Sequence, residues 1–429
     1  MSARAGRTEP LHRRTGARLL ATLTALGLLT GCGSATATRT SASPHAQTGT
    51  TAAASAPTSP SASCATTVAG TLGTVAARIY HEAASGGIVA QAVHRIQSSS
   101  ALASAVGSGN SGAAAAALRA LTLGQIVRVE VLRGGRLLAQ AGAGTAIAPV
   151  RGSIPGTSAT FVVSTQSAHS YVQVLHQVTG AEVLLLTGAH RLAGTIGGPP
   201  PAGLPAAGSV TVAGQSYQTT MLTGAVYPGG TLHIALLVPM ASISCPGSTA
   251  QTRVETLGHV GELIYQEELH SPDVSATLRH IERSVAFQRA VAAHNGTAAR
   301  AAIVGFFEEH IHVVRVRVST GAGLLVDVGG PYVLAPVHGT VRSGGRVVGQ
   351  FAMAIQDDAG YLRLAHLFTG AEVLMRTGSH QVMGTLSPGP PSVPDRGPVS
   401  YGGRTYEAYS FSGEAFPSGP LRISLLLAG

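Results

Sequence analysis

Apolar positions along the chain change period in a fixed order. Over 250–293 Val274, Leu278, Ile281, Val285 and Ala286 recur at three and four residues, one stripe of a helix. The Ala- and Ile-rich stretch 66–105 has the same helical spacing. Shorter helical segments (112–121 and 297–307) lead into IVRVEV (126–131) and VVRVRV (313–318), whose Val residues face one side and Arg128 or Arg315 the other. Gly134-Gly135 and Gly321-Ala322-Gly323 turn each chain back into LLAQAG and LLVDVG, two hairpins. GRVVGQFAMAIQ (345–356) predicts another strand. Asp357-Asp358 then opens a helix carrying Tyr361, Leu364, Ala365 and Phe368 on one face, and Gly370 stops it. EVLMRTG, TYEAYSF and LRISLLL predict three further strands, with a Pro-rich loop at 387–398.

This order occurs twice. TGAEVLLLTGAHRLAGTI (179–196) matches TGAEVLMRTGSHQVMGTL (369–386) at 11 of 18 positions. Ile79-Tyr80-His81-Glu82 answers Ile264-Tyr265-Gln266-Glu267, and YPGGTLHIALL (227–237) answers FPSGPLRISLL (416–426). Phe161, Tyr171 and His176 answer Phe351, Tyr361 and His366. Chance does not keep such an order over a whole domain, so two homologous domains are expected, at 65–240 and 246–429. Helices, hairpin, strand, helix and three strands describe an α+β fold, an antiparallel sheet flanked by helices with a long N-terminal helix.

The N-terminus departs from both copies. Arg4, Arg7, Arg13, Arg14 and Arg18 precede an uncharged apolar run from Leu19 to Thr30. At 12 residues it is short for a spanning helix, which needs roughly 20, and has the length of a secretory signal core. Leu29-Thr30-Gly31-Cys32 resembles the lipobox of bacterial lipoproteins. That resemblance implies a signal peptide over 1–31 and a lipid on Cys32 at the extracytoplasmic face. Residues 33–63 are almost entirely Ser, Thr, Ala, Gly and Pro, and 32–63 is expected to be a disordered tether. As a coil it spans on the order of 30 Å. No other apolar run suffices to span a bilayer, so the lipid is the expected membrane anchor.

Composition narrows the function classes. All 28 basic residues are Arg, and the leader supplies +4 of the formal +9. The remainder is scattered singly, without the basic tracts or aromatic interleaving of a nucleic-acid binder, so no nucleic-acid partner is expected. With Cys32 set aside, Cys64 and Cys245 remain, either bridged in an oxidising compartment or as two buried thiols. A bridge would tie the starts of the two halves together. No G-x-S-x-G, H-E-x-x-H or Walker loop is present, and neither catalysis nor a cofactor is expected. Glu308-Glu309-His310-Ile311-His312 would chelate a metal if it were an extended strand, and is otherwise the polar end of a helix. The first copy lacks it, and no metal site is expected. Asp357-Asp358 reads as a helix cap rather than an acid–base pair. The repeated pairs His176/His366 and His190/His380 are either structural or pH-sensitive contacts.

Element order and the phrase GRVVGQFAMAIQDDAGYLRLAHLFTGAEVLMRTG resemble the extracytoplasmic PAS-like sensor domains called Cache or PDC domains, over essentially both halves. The resemblance implies a small organic ligand bound over the sheet and a signalling partner in the membrane. In the second copy it points to Arg315, Tyr361, Arg363, His366 and Tyr406; in the first, to Arg128, Tyr171, His176 and Tyr217, with Gln173 in the place of Arg363. The loop 328–346, with Tyr332 and His338, would serve as a lid. The expected function is a surface-anchored, sensor-like ligand-binding lipoprotein without its own output domain. The rival is a scaffolding lipoprotein whose PAS-like domains form a protein interface.

Overall fold

The computed structural model describes residues 61–429 except 200, 202, 310–312 and 332–333. The leader, Cys32 and the tether to residue 60 lie outside the described residues. So do His310, His312 and Tyr332. Ala62 and Ser63, assigned above to the tether, already belong to the first helix.

The first repeat begins with α1 (Ala62–Ser85), α2 (Gly87–Gln97), α3 (Ser100–Gly107) and α4 (Ser111–Leu121). Strands β1 (Arg128–Arg133), β2 (Arg136–Gly142), β3 (Ala146–Ile147), β4 (Val150–Ser153), β5 (Ala159–Ser164) and β6 (Gln166–Ser167) lead to α5 (Ala168–Thr179). It ends with β7 (Glu182–Thr187), β8 (His190–Gly194), β9 (Ala207–Val212), β10 (Gln215–Ala225) and β11 (Thr231–Pro239). The second repeat follows the same plan with α6 (Thr249–His270), α7 (Pro272–Arg283), α8 (Val285–Ala292) and α9 (Gly296–Glu308). Then come β12 (Arg315–Thr320), β13 (Gly323–Gly329), β14 (Val337–Ser343), β15 (Arg346–Ala354) and α10 (Asp358–Thr369). The last strands are β16 (Glu372–Thr377), β17 (His380–Gly384), β18 (Arg396–Tyr401), β19 (Arg404–Glu414) and β20 (Pro420–Ala428).

The long helical stretches break where their own side chains offer caps. Ser271 and Ser284 accept the N–H groups of Val274 and Phe287, and Pro272 sits at the first helical turn. The first repeat breaks at Gly86 and at Ser99, which caps α3. Each such cap contributes about 1 kcal/mol, so a continuous helix has competitors at these points.

Each repeat carries a four-stranded and a five-stranded antiparallel sheet where one was expected, because α5 or α10 follows the first group of strands and leads into the second; the first repeat adds the two-stranded pair β3–β6. The small sheets run β2-β1-β5-β4 and β13-β12-β15-β14, the large ones β8-β7-β11-β10-β9 and β17-β16-β20-β19-β18. Val129 and Val131 pair with Val163 and Phe161; Val316 and Val318 pair with Met353 and Phe351, all buried. Gly152 and Gly339 on the edge strands allow this. A Cβ at either would lie 2.4 Å from the ring of Phe161 or Phe351. Residues 337–343 therefore form an edge strand and not part of a lid.

Each small sheet has its own core with the short helices beside it. The large sheets instead share one core, drawn from both repeats through α1, α5, α6 and α10. Packing across it is reciprocal: α1 lies on α6, α5 of the first repeat packs on α6, and α10 of the second packs on α1. Such exchange of equivalent contacts is what a two-fold dimer shows, here inside one chain. Cys64 at the start of α1 is disulfide-bonded to Cys245, just before α6. No described helix is long and apolar enough to cross a membrane.

Candidate functional site

The residues singled out over the sheet do not converge. Tyr171 and Tyr361 are buried, and their hydroxyls donate to Ala76 O and Gly261 O, each 3.0 Å away on the long helix of the same repeat. Their rings meet Tyr80 and Tyr265 edge-on, at 6.0 and 6.4 Å. His176 and His366 bond through Nδ1 to the carbonyls of Ala181 and Ala371, securing the chain just past α5 and α10. Arg315 grips Asp327 with two hydrogen bonds, of 3.0 and 2.8 Å, and lies over the Phe416 ring. These bonds hold the Asp327 carboxyl below its ordinary range. Arg128 lies over Tyr227. Tyr217 and Tyr406 belong to small apolar clusters on the opposite face of the large sheets. Arg363 is exposed on α10, and Gln173 is half-buried on α5.

Other polar candidates also have structural employment. Asp357 caps α10 by accepting the Gly360 N–H, as Ser167 caps α5. Glu309 pairs with His280 at 2.8 Å just past α9, and His338 lies 3.2 Å from Glu414. His190 and His380 open β8 and β17 on exposed turns.

Two concave sites instead flank the seam between the repeats, and each draws walls from both. One, of about 470 Å³, lies where Thr179-Gly180 at the end of α5 meets α6. The first repeat supplies an apolar wall of Val68, Leu72 and Val238, and α6 supplies Glu255, His259, Glu262 and Gln266. Glu262 lies 3.4 Å from His259 and accepts the Tyr409 hydroxyl at 3.2 Å. Burial, with the Glu262 charge beside it, pushes that hydroxyl up to about 12. Arg396 stacks on the Tyr409 ring, 3.6 Å from its centroid, and its Nε lies 3.6 Å from Glu255. Glu255 is thus balanced by Arg396, and Glu262, beside His259, faces the apolar wall as the carboxylate to meet a small ligand with a cationic group.

The second cleft, of about 350 Å³, is the two-fold counterpart, where Thr369 at the end of α10 meets α1. The repeat alignment places Gly70, Thr74, Ala77 and Arg78 opposite Glu255, His259, Glu262 and Leu263. The second cleft therefore lacks the carboxylates of the first. Duplication alone did not mark these positions, because they are where the copies differ. The signal available in the sequence was charge placed on two helices that otherwise share an apolar stripe.

No family model and no curated protein matches the chain. Among solved structures, it is similar to the periplasmic domain of Vibrio cholerae LuxQ, at 11% identity over 41% of this chain and 100% of that one, TM-score 0.29. A second structure of that domain gives 12% identity over 42% and 97%, TM-score 0.25. An extracellular ligand binding receptor from Desulfohalobium retbaense gives 10% identity over 48% of this chain and 47% of that one, TM-score 0.27. At these scores the likenesses assign no family.

Proposed function

We propose that this chain is an extracytoplasmic, sensor-like lipoprotein that binds a small organic ligand in the acidic cleft at the repeat seam. The observation that supports it is the cleft's make-up: an apolar wall from one repeat facing Glu255, His259 and Glu262 of the other. A ligand there bridges both repeats, so occupancy stabilises one arrangement of the seam over others. A membrane partner would read that arrangement, with the body held at the surface by a lipid on Cys32. The preferred ligand is an amine with a short apolar body.

Thermal-shift screening of the whole chain against amines, amino acids, organic acids and purines tests the binding. At least one amine is expected to raise the melting temperature, and Glu262→Gln is expected to abolish that shift. If no compound stabilises the protein, the ligand-binding reading fails. Cys32→Ser is expected to release the protein from membranes or leave it uncleaved; unchanged attachment would refute the lipid anchor.

A further inference from the structure

The cleft beneath α10 has been remade for the opposite charge. Its two basic groups come from different repeats, Arg78 on α1 and Arg253 on α6. Where Arg78 stands in this cleft, Leu263 stands in the other, and Arg253 takes the place of Val68. None of the described lining residues is acidic, and neither arginine forms an ion pair among the described residues. Arg78 donates one hydrogen bond, to Phe368 O at 3.2 Å, which leaves most of its guanidinium donors for another acceptor. Burial first, and then the charge of Arg253, lower the affinity of Arg78 for its proton. An anion between the two would offset their repulsion and favour the charged form of Arg78.

The rest of the lining is uncharged. Thr71, Thr74 and Thr369 donate their hydroxyl protons to helix carbonyls four residues back, so the two guanidiniums, not these hydroxyls, supply the donors for an anion. Leu257 and Leu427 supply an apolar patch, enough for a short carbon chain.

We infer that this cleft binds a small organic or inorganic anion bearing a carboxylate or phosphate, clamped between Arg78 of one repeat and Arg253 of the other. A guanidinium meets either group through paired N–H donors, which gives orientation as well as affinity. The inference extends the view that the seam clefts take ligands, but it rests on different residues from the acidic cleft. A protein with both sites would respond to two ligands of opposite charge through one seam.

Calorimetric titration of the whole chain with inorganic phosphate and, separately, with succinate tests it at fixed ionic strength. Saturable binding of at least one is expected. Arg253→Gln is the informative variant, because Arg253 is exposed and its replacement leaves the core intact. It should weaken the anion at least tenfold, as should Arg78→Gln, whereas Glu262→Gln in the other cleft should change it less than twofold. Absence of saturable binding by both anions overturns the inference, and so does binding that Arg253→Gln leaves unchanged. If anions fail while an amine still binds, the acidic-cleft reading survives alone; if only the amine fails, the anion site stands without it.

Discussion

Glu268, near the end of α6, is buried, and its Oε2 meets no hydrogen-bond donor among the described residues. Burial, with Glu267 and Asp357 nearby, raises its carboxyl to about 8, against 4.5 for an ordinary glutamate. Between those values the folded protein keeps a proton that the unfolded chain releases. The associated stability is therefore fully present below about 4.5 and is lost as pH rises towards 8. Glu268→Gln keeps the shape and removes the titration. It should raise stability at pH 8 by on the order of 1–3 kcal/mol and flatten the slope between pH 5 and 8. Urea unfolding at the two pH values checks this, and an unchanged slope would clear Glu268 of the effect. Asp327 has the opposite sign. Its carboxyl is lowered, chiefly by hydrogen bonds from Arg315, so its contribution holds above the unfolded value and fades as pH falls through the folded one. Being partly solvated, Asp327→Asn should cost no more than about 1 kcal/mol at neutral pH.

At the scale of elements, the paired tyrosines show what periodicity reveals and what it leaves out. The stripe Tyr361, Leu364, Ala365 and Phe368 was legible as the buried face of a helix. That the Tyr361 hydroxyl reaches Gly261 O on α6 was not, because spacing along one element says nothing of what lies across from it. Tyr171→Phe and Tyr361→Phe should each cost about 1 kcal/mol by removing a buried hydrogen bond to a helix carbonyl that keeps its intrahelical partner. Thermal unfolding of both variants measures this, and no change in either would mean the hydroxyls bear no load. The edge strands β4 and β14 escaped the pattern for a related reason. They are short or polar, and each carries a glycine that accommodates an aromatic ring rather than a side chain of its own. Gly339→Ala should destabilise by roughly 1–3 kcal/mol, since Phe351 and Leu278 already occupy the space.

For the whole molecule, the duplication in the sequence did not reveal that the two repeats bury their long helices against each other. An apolar stripe on a helix calls for a cover without saying whether the cover is its own sheet, another repeat or another chain. Here α6 is covered on one side by its own large sheet and on the other by α1 and α5. The candidate clefts exist only because of that second contact, which is why neither was visible from one repeat. The Cys64–Cys245 bond closes a separation of 181 residues across the same seam. Cys245→Ser should cost about 2–5 kcal/mol, most of it by freeing the unfolded chain. A sharper test separates the repeats. Residues 246–429 alone would expose Val254, Leu257 and Val260, which now belong to the shared core. Light scattering should then find that fragment as a dimer or larger species, with two copies of α6 replacing the α1–α6 contact. A stable monomer would show that the seam adds little to either repeat, and would leave the two clefts without a fixed geometry in which to hold a ligand.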